Sequence, residues 1–205
     1  MQCADSKQSK HLDLGCGLNP RNPYGREKLY GIDIRDDARV FLETQNIVLT
    51  TANLALEKIP YENDFFDSIS ATDFIEHIPR QLYVDRTAEF RYPFIDLMNE
   101  IWRVLVPGGR FLAITPAYPS PFAFVDPTHV NFISELTHEY FCGQNPPGRA
   151  YGFKGKFLAH IAKFSAPSNY ETMPPSPWRS QTRDALRKIS GKGLHHVVWE
   201  LEAIK

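Results

Sequence analysis

The stretch His11-Leu12-Asp13-Leu14-Gly15-Cys16-Gly17 constrains this chain most strongly, because an apolar strand runs directly into a Gly-x-Gly turn. A second apolar run follows and ends at Asp33 and Ile34. Glycines let the main chain approach a ligand where a Cβ would collide, and a carboxylate at the end of the next strand can accept hydrogen bonds from two ribose hydroxyls. The two motifs together predict an α/β fold that binds an adenine nucleoside.

The glycine loop departs from the fingerprint of a dinucleotide-binding protein. The third glycine of G-x-G-x-x-G, which frees a helix N-terminus for a pyrophosphate, is here Pro20. Pro23 and Gly25 follow, so the first helix is at most one turn beginning near Asn19. Asp13 adds a negative charge that repels a pyrophosphate and attracts a sulfonium or an ammonium group. The predicted ligand is therefore cationic.

Three further motifs follow the glycine loop in order. They are Ala52-Asn53-Leu54, the segment FDSISATDFIEHI at 66–78, and the segment EIWRVLVPGGRF at 100–111. With the glycine loop, these motifs resemble the class I S-adenosylmethionine-dependent methyltransferases, in particular the small bacterial group called type 11. The resemblance covers roughly residues 11–164. It implies S-adenosylmethionine as cofactor and S-adenosylhomocysteine as product.

The same resemblance implies which residues hold the cofactor. The acid before the glycines and the glycine loop hold the methionine part, and the acid that ends the second strand holds ribose. The residues after the third strand read adenine, and the end of the fourth strand lies beside the methyl group. By position these residues are Asp13, Gly15, Cys16, Gly17, Asp33, Ile34, Asn53, Leu54, Ala71, Thr72 and Asp73.

Strand-like and helix-like apolar patterns alternate along the chain, which is typical of a parallel sheet with helices on both faces. Helical spacing runs from Phe94 to Leu105 and ends at Pro107-Gly108-Gly109. We expect one domain over residues 1–205, with a three-layer Rossmann-like sheet of seven strands. The sheet is mostly parallel, and the resemblance implies an antiparallel last strand. The predicted strands are 10–14, 29–34, 47–52, 67–71, 110–115, 156–164 and 195–204.

Composition limits the partners that this chain is expected to have. Its 205 residues, 42% of them hydrophobic, can bury a core of ordinary domain size. No apolar run approaches about 18 residues, so no membrane span is predicted. The formal charge of −1 gives no general attraction to nucleic acid. The polar first ten residues and the cysteines at 3, 16 and 142, which lack metal-ligand spacing, favour a cytoplasmic protein.

Two connections at the carboxyl edge of the predicted sheet are unusually long, and ligands of open α/β sheets bind at this edge. We predict that residues 79–92 and 116–150 form a lid that becomes ordered on ligand binding, since loops longer than about 12 to 15 residues are usually functional or disordered. Residues 165–193 are rich in Pro and Gly and predict a mobile surface loop with a short helix near 181–189. Arg183 and Arg187 on this helix form either an anion-binding face or a solvated surface.

Asp126-Pro127-Thr128-His129 is the candidate for chemistry outside the cofactor site. Methyl transfer is an in-line displacement, so alignment supplies much of the catalysis. A general base is needed where the acceptor is a hydroxyl or a protonated amine, and His129 has a suitable pKa, with Asp126 near enough to orient it. The alternative is that His129 only hydrogen-bonds the loop backbone. Further candidates for substrate contacts are His77, Arg80 and Tyr118.

The acceptor predicted from these features is a small molecule or a glycan-type compound, methylated at oxygen rather than nitrogen. Methyltransferases of planar nitrogens carry Asn-Pro-Pro-aromatic after strand four, where this chain has Ala71-Thr72-Asp73-Phe74. No metal is expected, because Asp73 and Asp126 do not make the convergent acidic cluster of a catechol-type enzyme. Two alternatives stay open: a cofactor-binding pseudoenzyme or partner subunit, and a nicotinamide-dependent oxidoreductase, which Pro20 disfavours.

Overall fold

The computed structural model describes residues 8–36, 47–84, 89–190 and 193–205. Its main sheet consists of β1 (Lys10–Leu14), β2 (Lys28–Asp33), β3 (Val48–Thr51), β4 (Phe66–Thr72), β7 (Leu105–Pro116), β8 (Phe157–Ser165) and β9 (His196–Ala203). The strand order is β3-β2-β1-β4-β7-β9-β8. All neighbouring pairs are parallel except those of β9, which runs antiparallel to β7 and to β8. A separate antiparallel pair joins β5 (Leu82–Val84) to β6 (Glu89–Arg91).

In the described part of the chain, two α-helices accompany the sheet, α1 (Pro93–Val104) and α2 (Pro177–Ile189). Short 3₁₀ helices lie in the connections, at Ile75–His77, Pro121–Ala123, Thr137–Phe141, Pro147–Tyr151 and Pro167–Asn169. Within the described ranges, no helix is both long enough and apolar enough to cross a membrane.

The two faces of the sheet are buried by different parts of the chain. Along β7, Phe111 and Ala113 belong to one hydrophobic core, and the alternate residues Leu112 and Ile114 belong to another. This alternation follows from the two-residue period of a strand. The buried face of α1 covers the first core with Phe94, Leu97, Met98, Ile101 and Val104. The second core is closed by Tyr170 and Met173, which follow β8.

The predicted fold class, a three-layer α/β sheet of seven strands with an antiparallel last strand, is confirmed. All seven predicted strands are present, and their bounds differ by at most one residue, apart from the early start of β7 at Leu105. That start arises because Leu105 pairs with Phe66, so α1 passes directly into the strand. Residues 15–27 form turns without any helix, in line with the effect predicted for Pro20 and Pro23.

Part of the segment predicted as a mobile surface loop, 165–193, packs against the core in the described residues. Tyr170 and Met173 are buried, and the Met173 N–H donates to the Pro23 carbonyl, which fastens this segment to the turn after β1. The helix in this segment begins at Pro177, earlier than the predicted 181. Proline at its first position explains the earlier start, because Pro is well tolerated in the first turn of a helix.

We expect Ile101→Ala to lower the free energy of unfolding by about 2 to 5 kcal/mol, because Ile101 is fully buried and truncation leaves a cavity in the core. Ile189→Ala in α2 is the matched control, since that side chain is 83% exposed. It should change stability by less than about 0.5 kcal/mol. Urea unfolding followed by circular dichroism measures both. Equal losses would contradict the role of α1 as a core layer.

Candidate functional site

The glycine loop after β1 folds back onto the end of β2. Gly15 and Gly17 both have positive φ, 65° and 53°, in the region that favours glycine. The Gly15 and Cys16 N–H groups donate to the Ile32 carbonyl at 2.8 and 3.2 Å. The Gly17 N–H donates to Asp33 Oδ2 at 2.8 Å. Four of the residues predicted to bind cofactor therefore lie together at the carboxyl edge of the sheet.

The two glycines differ in what surrounds them. A Cβ on Gly17 would meet no atom within 4 Å, so this side of the loop faces open space. A Cβ on Gly15 would lie 2.4 Å from Cδ2 of the Phe74 ring. Only Gly17 therefore leaves its Cβ side free for a ligand, whereas Gly15 is needed for packing against Phe74.

We expect Gly15→Ala to destabilise the protein more than Gly17→Ala. Both substitutions lower the free energy of unfolding by about 1 to 2 kcal/mol because alanine is strained at positive φ. Gly15→Ala also forces the Phe74 ring to move, which adds about 1 to 3 kcal/mol. Thermal unfolding of both single variants and of Gly15→Ala combined with Phe74→Ala measures the difference. The double variant should remove most of the additional loss. Equal destabilisation by the two glycine substitutions would show that the ring does not pack on Gly15.

Asp13 lies buried beneath the loop. Its Oδ2 accepts the Arg21 N–H at 2.8 Å, and its Oδ1 accepts the Ser70 hydroxyl at 2.5 Å. The carboxylate therefore connects β1 to β4 and to the segment that follows the glycines. Burial raises the pKa of Asp13 to about 7.

A directed chain of hydrogen bonds leads from Asp13 into the sheet. His11 Nε2 and Nδ1 lie 2.8 Å from the hydroxyls of Ser70 and Ser68, respectively. Because Ser70 donates its proton to Asp13, it accepts from His11 Nε2–H. Ser68 then donates to Nδ1 and accepts from Arg26 Nε at 3.3 Å. Burial lowers the pKa of His11 to about 3, so the ring is neutral, as this pattern requires.

We expect Asp13→Asn to become more stable relative to the wild type as the pH rises. Folding raises the pKa of Asp13 from 3.8 to about 7, so the folded protein keeps a proton that the unfolded chain has lost between these values. The stability of the wild type therefore falls through this window because of Asp13. From pH 5 to pH 8 the difference in free energy of unfolding between the variant and the wild type should shift by roughly 2 to 3 kcal/mol in favour of the variant. Urea unfolding at several pH values measures it. Parallel profiles for wild type and variant would contradict the raised pKa.

The remaining predicted cofactor residues line the same edge with different orientations. Ile34 is 65% exposed just after β2, whereas Leu54 is buried in the core. The Asn53 side-chain oxygen accepts the Ala55 N–H at 3.1 Å, which shapes the turn after β3. An adenine ring placed here would contact the side chain of Ile34 and the main chain near Asn53.

At the end of β4, Ala71 is buried and Thr72 borders a cavity. Asp73 has a φ of 49°, and its Oδ1 lies 3.2 Å from His196 Nε2 at the start of β9. The left-handed conformation of a non-glycine residue turns the chain sharply at this edge. Asp73 therefore faces the first residue of β9, a neighbour that the sequence motif does not reveal.

Glu76, His77 and His129 form a cluster on the other side of this turn, with one ligand-type atom from each within 4.8 Å of the others. Glu76 is only 1% exposed, and its Oε2 accepts the Thr115 hydroxyl at 2.8 Å. Glu76 Oε1 is buried without a hydrogen-bond partner among the described residues. The closest basic atom is His129 Nε2 at 4.0 Å. Burial raises the pKa of Glu76 to about 7.

The two interpretations of His129 combine in this cluster. His129 Nδ1 lies 3.2 Å from the Ala123 carbonyl, the backbone bond of one interpretation, while Nε2 faces Glu76. The main-chain carbonyl of Asp126 accepts the His129 N–H at 3.1 Å. Within the described residues, its carboxylate makes no hydrogen bond to the His129 ring. It accepts instead from the amide and the hydroxyl of Thr128, both at 2.7 Å, and the Thr128 hydroxyl lies 3.0 Å from His77 Nδ1. Asp126 therefore orients His77 through Thr128.

The other two predicted substrate contacts, Arg80 and Tyr118, have different surroundings. Arg80 donates to the Asn131 side chain at 2.8 Å and also to the Phe132 carbonyl. It therefore joins the predicted lid segments 79–92 and 116–150 to each other. Tyr118 is 60% exposed and does not line the cavity of about 680 Å³ at the ends of β4 and β7.

A cavity of about 680 Å³ opens beside Thr72, at the ends of β4 and β7. Four basic side chains line it, accompanied by one acid, Glu171; they are Arg21, Arg187, His195 and His196. Part of the basic surface predicted for α2 thus reaches the site through Arg187. A cavity with this lining suits a small ligand that carries negative charge.

The sequence motifs did not identify several residues at this edge, among them Glu76, Thr115, His195 and His196. His195 and His196 lie at the start of β9, and the apolar pattern of this strand predicts core packing rather than a binding site. Glu76 carries a recognisable signal, because it interrupts the apolar run Phe74-Ile75 and Ile78 where a buried carboxylate needs partners.

Comparisons with known proteins agree with this geometry. A family model described as a methyltransferase domain matches residues 12–113, about half of the chain. No curated protein matches the chain.

Several solved structures have a similar fold. One is a chain of the complex between the Haloferax volcanii Trm112 methyltransferase activator and a methyltransferase. It is 16% identical to this chain, with a TM-score of 0.57, and the match covers 97% of this chain and 84% of that one. An S-adenosylmethionine-dependent methyltransferase from Archaeoglobus fulgidus is 15% identical, with a TM-score of 0.53, and the match covers 98% of this chain and 87% of that one. Haemonchus contortus phosphoethanolamine N-methyltransferase 1, solved with phosphoethanolamine and S-adenosylhomocysteine, is 11% identical, with a TM-score of 0.52. The match covers 96% of this chain and 39% of that one. At these identities the likeness concerns the fold.

Proposed function

Because the chain belongs to the class I S-adenosylmethionine-dependent methyltransferase family, we propose that it transfers a methyl group from this cofactor to a small-molecule or glycan-type acceptor. The observation that carries the proposal is the meeting of the Gly17 main chain and the Asp33 carboxylate at the sheet edge, beside a basic cavity. We therefore assign cofactor and acceptor to neighbouring sites at this edge.

The residues present fit the cofactor. Gly17 leaves open space beside the loop, and the buried charge of Asp13 favours a sulfonium or an ammonium group above it. We assign the methionine part to Asp13 and the main chain of Gly15, Cys16 and Gly17, with Ala71, Thr72 and Asp73 near the methyl group. Asp33 takes the ribose hydroxyls, and Ile34, Asn53 and Leu54 form the adenine side, Leu54 through its main chain.

In this assignment the protein acts mainly by alignment. The acceptor oxygen attacks the methyl carbon in line with the carbon–sulfur bond, whose electron pair goes to sulfur. The cavity of about 680 Å³ suits a small acceptor, and its four basic side chains suit one that carries an acid group. The cluster at Glu76 and His129 lies at the same sheet edge and favours an acceptor oxygen that loses a proton.

A second candidate is a methyltransferase chain that needs a partner subunit or that binds cofactor without turnover. The fold similarity to a chain in a complex with an activator favours keeping it. A nicotinamide oxidoreductase is disfavoured further, because the turns over residues 15–27 offer no helix N-terminus for a pyrophosphate.

We expect calorimetry to show micromolar binding of S-adenosylhomocysteine and far weaker binding of NAD and NADP. Asp33→Ala should weaken the binding of S-adenosylhomocysteine by at least about tenfold. Hydrogen bonds to a charged acceptor contribute about 1.5 to 3 kcal/mol each before water replaces them. Asp96→Ala, in an exposed ion pair with Arg91, is the control and should leave affinity unchanged.

A preference for a dinucleotide would overturn the proposal, and unchanged affinity in Asp33→Ala would place the ribose elsewhere. Turnover is then assayed with hydroxyl acceptors that carry a carboxylate or phosphate group. Binding of cofactor with no turnover until a partner is added would instead support the second candidate.

A further inference from the structure

We propose that Glu76, His77 and His129 bind a divalent first-row transition-metal ion at the acceptor side of the sheet edge. The sequence predicts no metal, because Asp73 and Asp126 do not form a convergent acidic cluster. The three residues proposed here come from two distant segments, the turn after β4 and the loop after β7. The fold alone brings them together.

The distances suit an ion. The three ligand-type atoms lie within 4.8 Å of one another, and Glu76 Oε1 lies 4.0 Å from His129 Nε2. A metal with bonds of about 2.0 to 2.2 Å holds its ligand atoms about 3 to 4 Å apart, so a contraction of up to about 1 to 2 Å closes the site. The separation is too long for a direct hydrogen bond between Glu76 and His129.

Glu76 supplies an independent reason for a ligand. Its side chain is 1% exposed, and its Oε1 is buried with no hydrogen-bond partner among the described residues. A buried carboxylate oxygen without a partner is costly. Thr115 holds the other oxygen, which fixes the carboxylate with Oε1 directed toward His129. A cation at this point would satisfy the orphaned oxygen.

Both imidazoles are held in the tautomer that a metal requires. His129 Nδ1–H donates to the Ala123 carbonyl, so its lone pair is on Nε2, the atom that faces Glu76. The Thr128 hydroxyl gives its proton to Asp126 and therefore accepts from His77 Nδ1–H, which leaves the lone pair of His77 on Nε2. Carbonyl and carboxylate partners of this kind orient metal-binding histidines in proteins.

The donor set identifies the class of ion. Two imidazoles and one carboxylate are typical of zinc and non-haem iron sites that keep further coordination positions open, and imidazole is a poor ligand for magnesium or calcium. Asp126 and Thr128, at the rim of the cluster, are exposed, so the site has a face toward solvent.

The role of the ion rests on the proposed function. An acceptor hydroxyl bound at an open position becomes more acidic. Its proton leaves to solvent, and the oxygen bonds to the methyl carbon. The carbon–sulfur bond breaks with its electron pair going to sulfur, which becomes the neutral thioether of S-adenosylhomocysteine. His129 acts here as a ligand, in place of the general-base role predicted from the sequence.

Titration of the metal-free chain with Co²⁺ alone tests the site without cofactor or acceptor. We expect one equivalent to give a saturable visible absorption band, with calorimetry showing the same stoichiometry for Mn²⁺ or Zn²⁺. Glu76→Gln, His77→Ala and His129→Ala should each weaken binding by at least about 10²-fold. Thr128→Val should weaken it by about 10- to 100-fold, because it removes the group that orients His77.

His160→Ala is the matched control, because His160 also contacts a carboxylate, Glu202 at 2.7 Å, but has no second histidine in that pair. It should leave Co²⁺ binding unchanged. Circular dichroism of each variant separates loss of ligand from loss of fold, and Glu76→Gln preserves the side-chain shape. Absence of the band in the folded wild type, or a band that survives all three ligand substitutions, would overturn the proposal. S-adenosylhomocysteine binding, measured separately, shows whether the proposed function stands on its own.

Discussion

The hydrogen bonds of the Asp13 carboxylate hold the glycine loop and its neighbouring strands together. One oxygen accepts from Ser70 on β4, and the other accepts from the main chain of Arg21 beyond the glycine loop. A single buried side chain of β1 thus fixes the neighbouring strand and the exit of the loop. Gly17 can donate to Asp33 at the end of β2 only if the loop is held in this position.

The arrangement also explains why a carboxylate is tolerated in a buried place. Asp13 receives one hydrogen bond on each oxygen, but burial still raises its pKa to about 7. A cationic ligand above the loop would favour the ionised form, because opposite charges attract most strongly where water is excluded. Ligand binding and the ionisation of Asp13 are therefore linked in the proposed assignment. The neutral His11 beneath it supplies a hydrogen bond to Ser70 without adding a competing positive charge.

The sequence predicted the sheet well because its strands follow local patterns, while the assignment of the cofactor residues stays a prediction. Apolar-rich runs of five to ten residues mark the strands, and glycines such as Gly17 report a backbone conformation that few other residues adopt. The sequence could not show that the ring of Phe74 lies against Gly15, or that Tyr170 and Met173 close the second face. Those contacts join segments far apart in the chain, and no local period records them.

The proposed acceptor side is built in the opposite way, from side chains of separate segments. Glu76 follows β4, His129 lies in the long loop after β7, and His196 begins β9. They meet because parallel strands bring their carboxyl ends to one edge and because antiparallel β9 starts at that same edge. Arg80 and Asn131 then tie the two long connections to each other. In the proposed assignment, main-chain geometry at the glycine loop thus sets the cofactor position, while the side chains delivered by the loops and by β9 select the acceptor group that is brought to the methyl group.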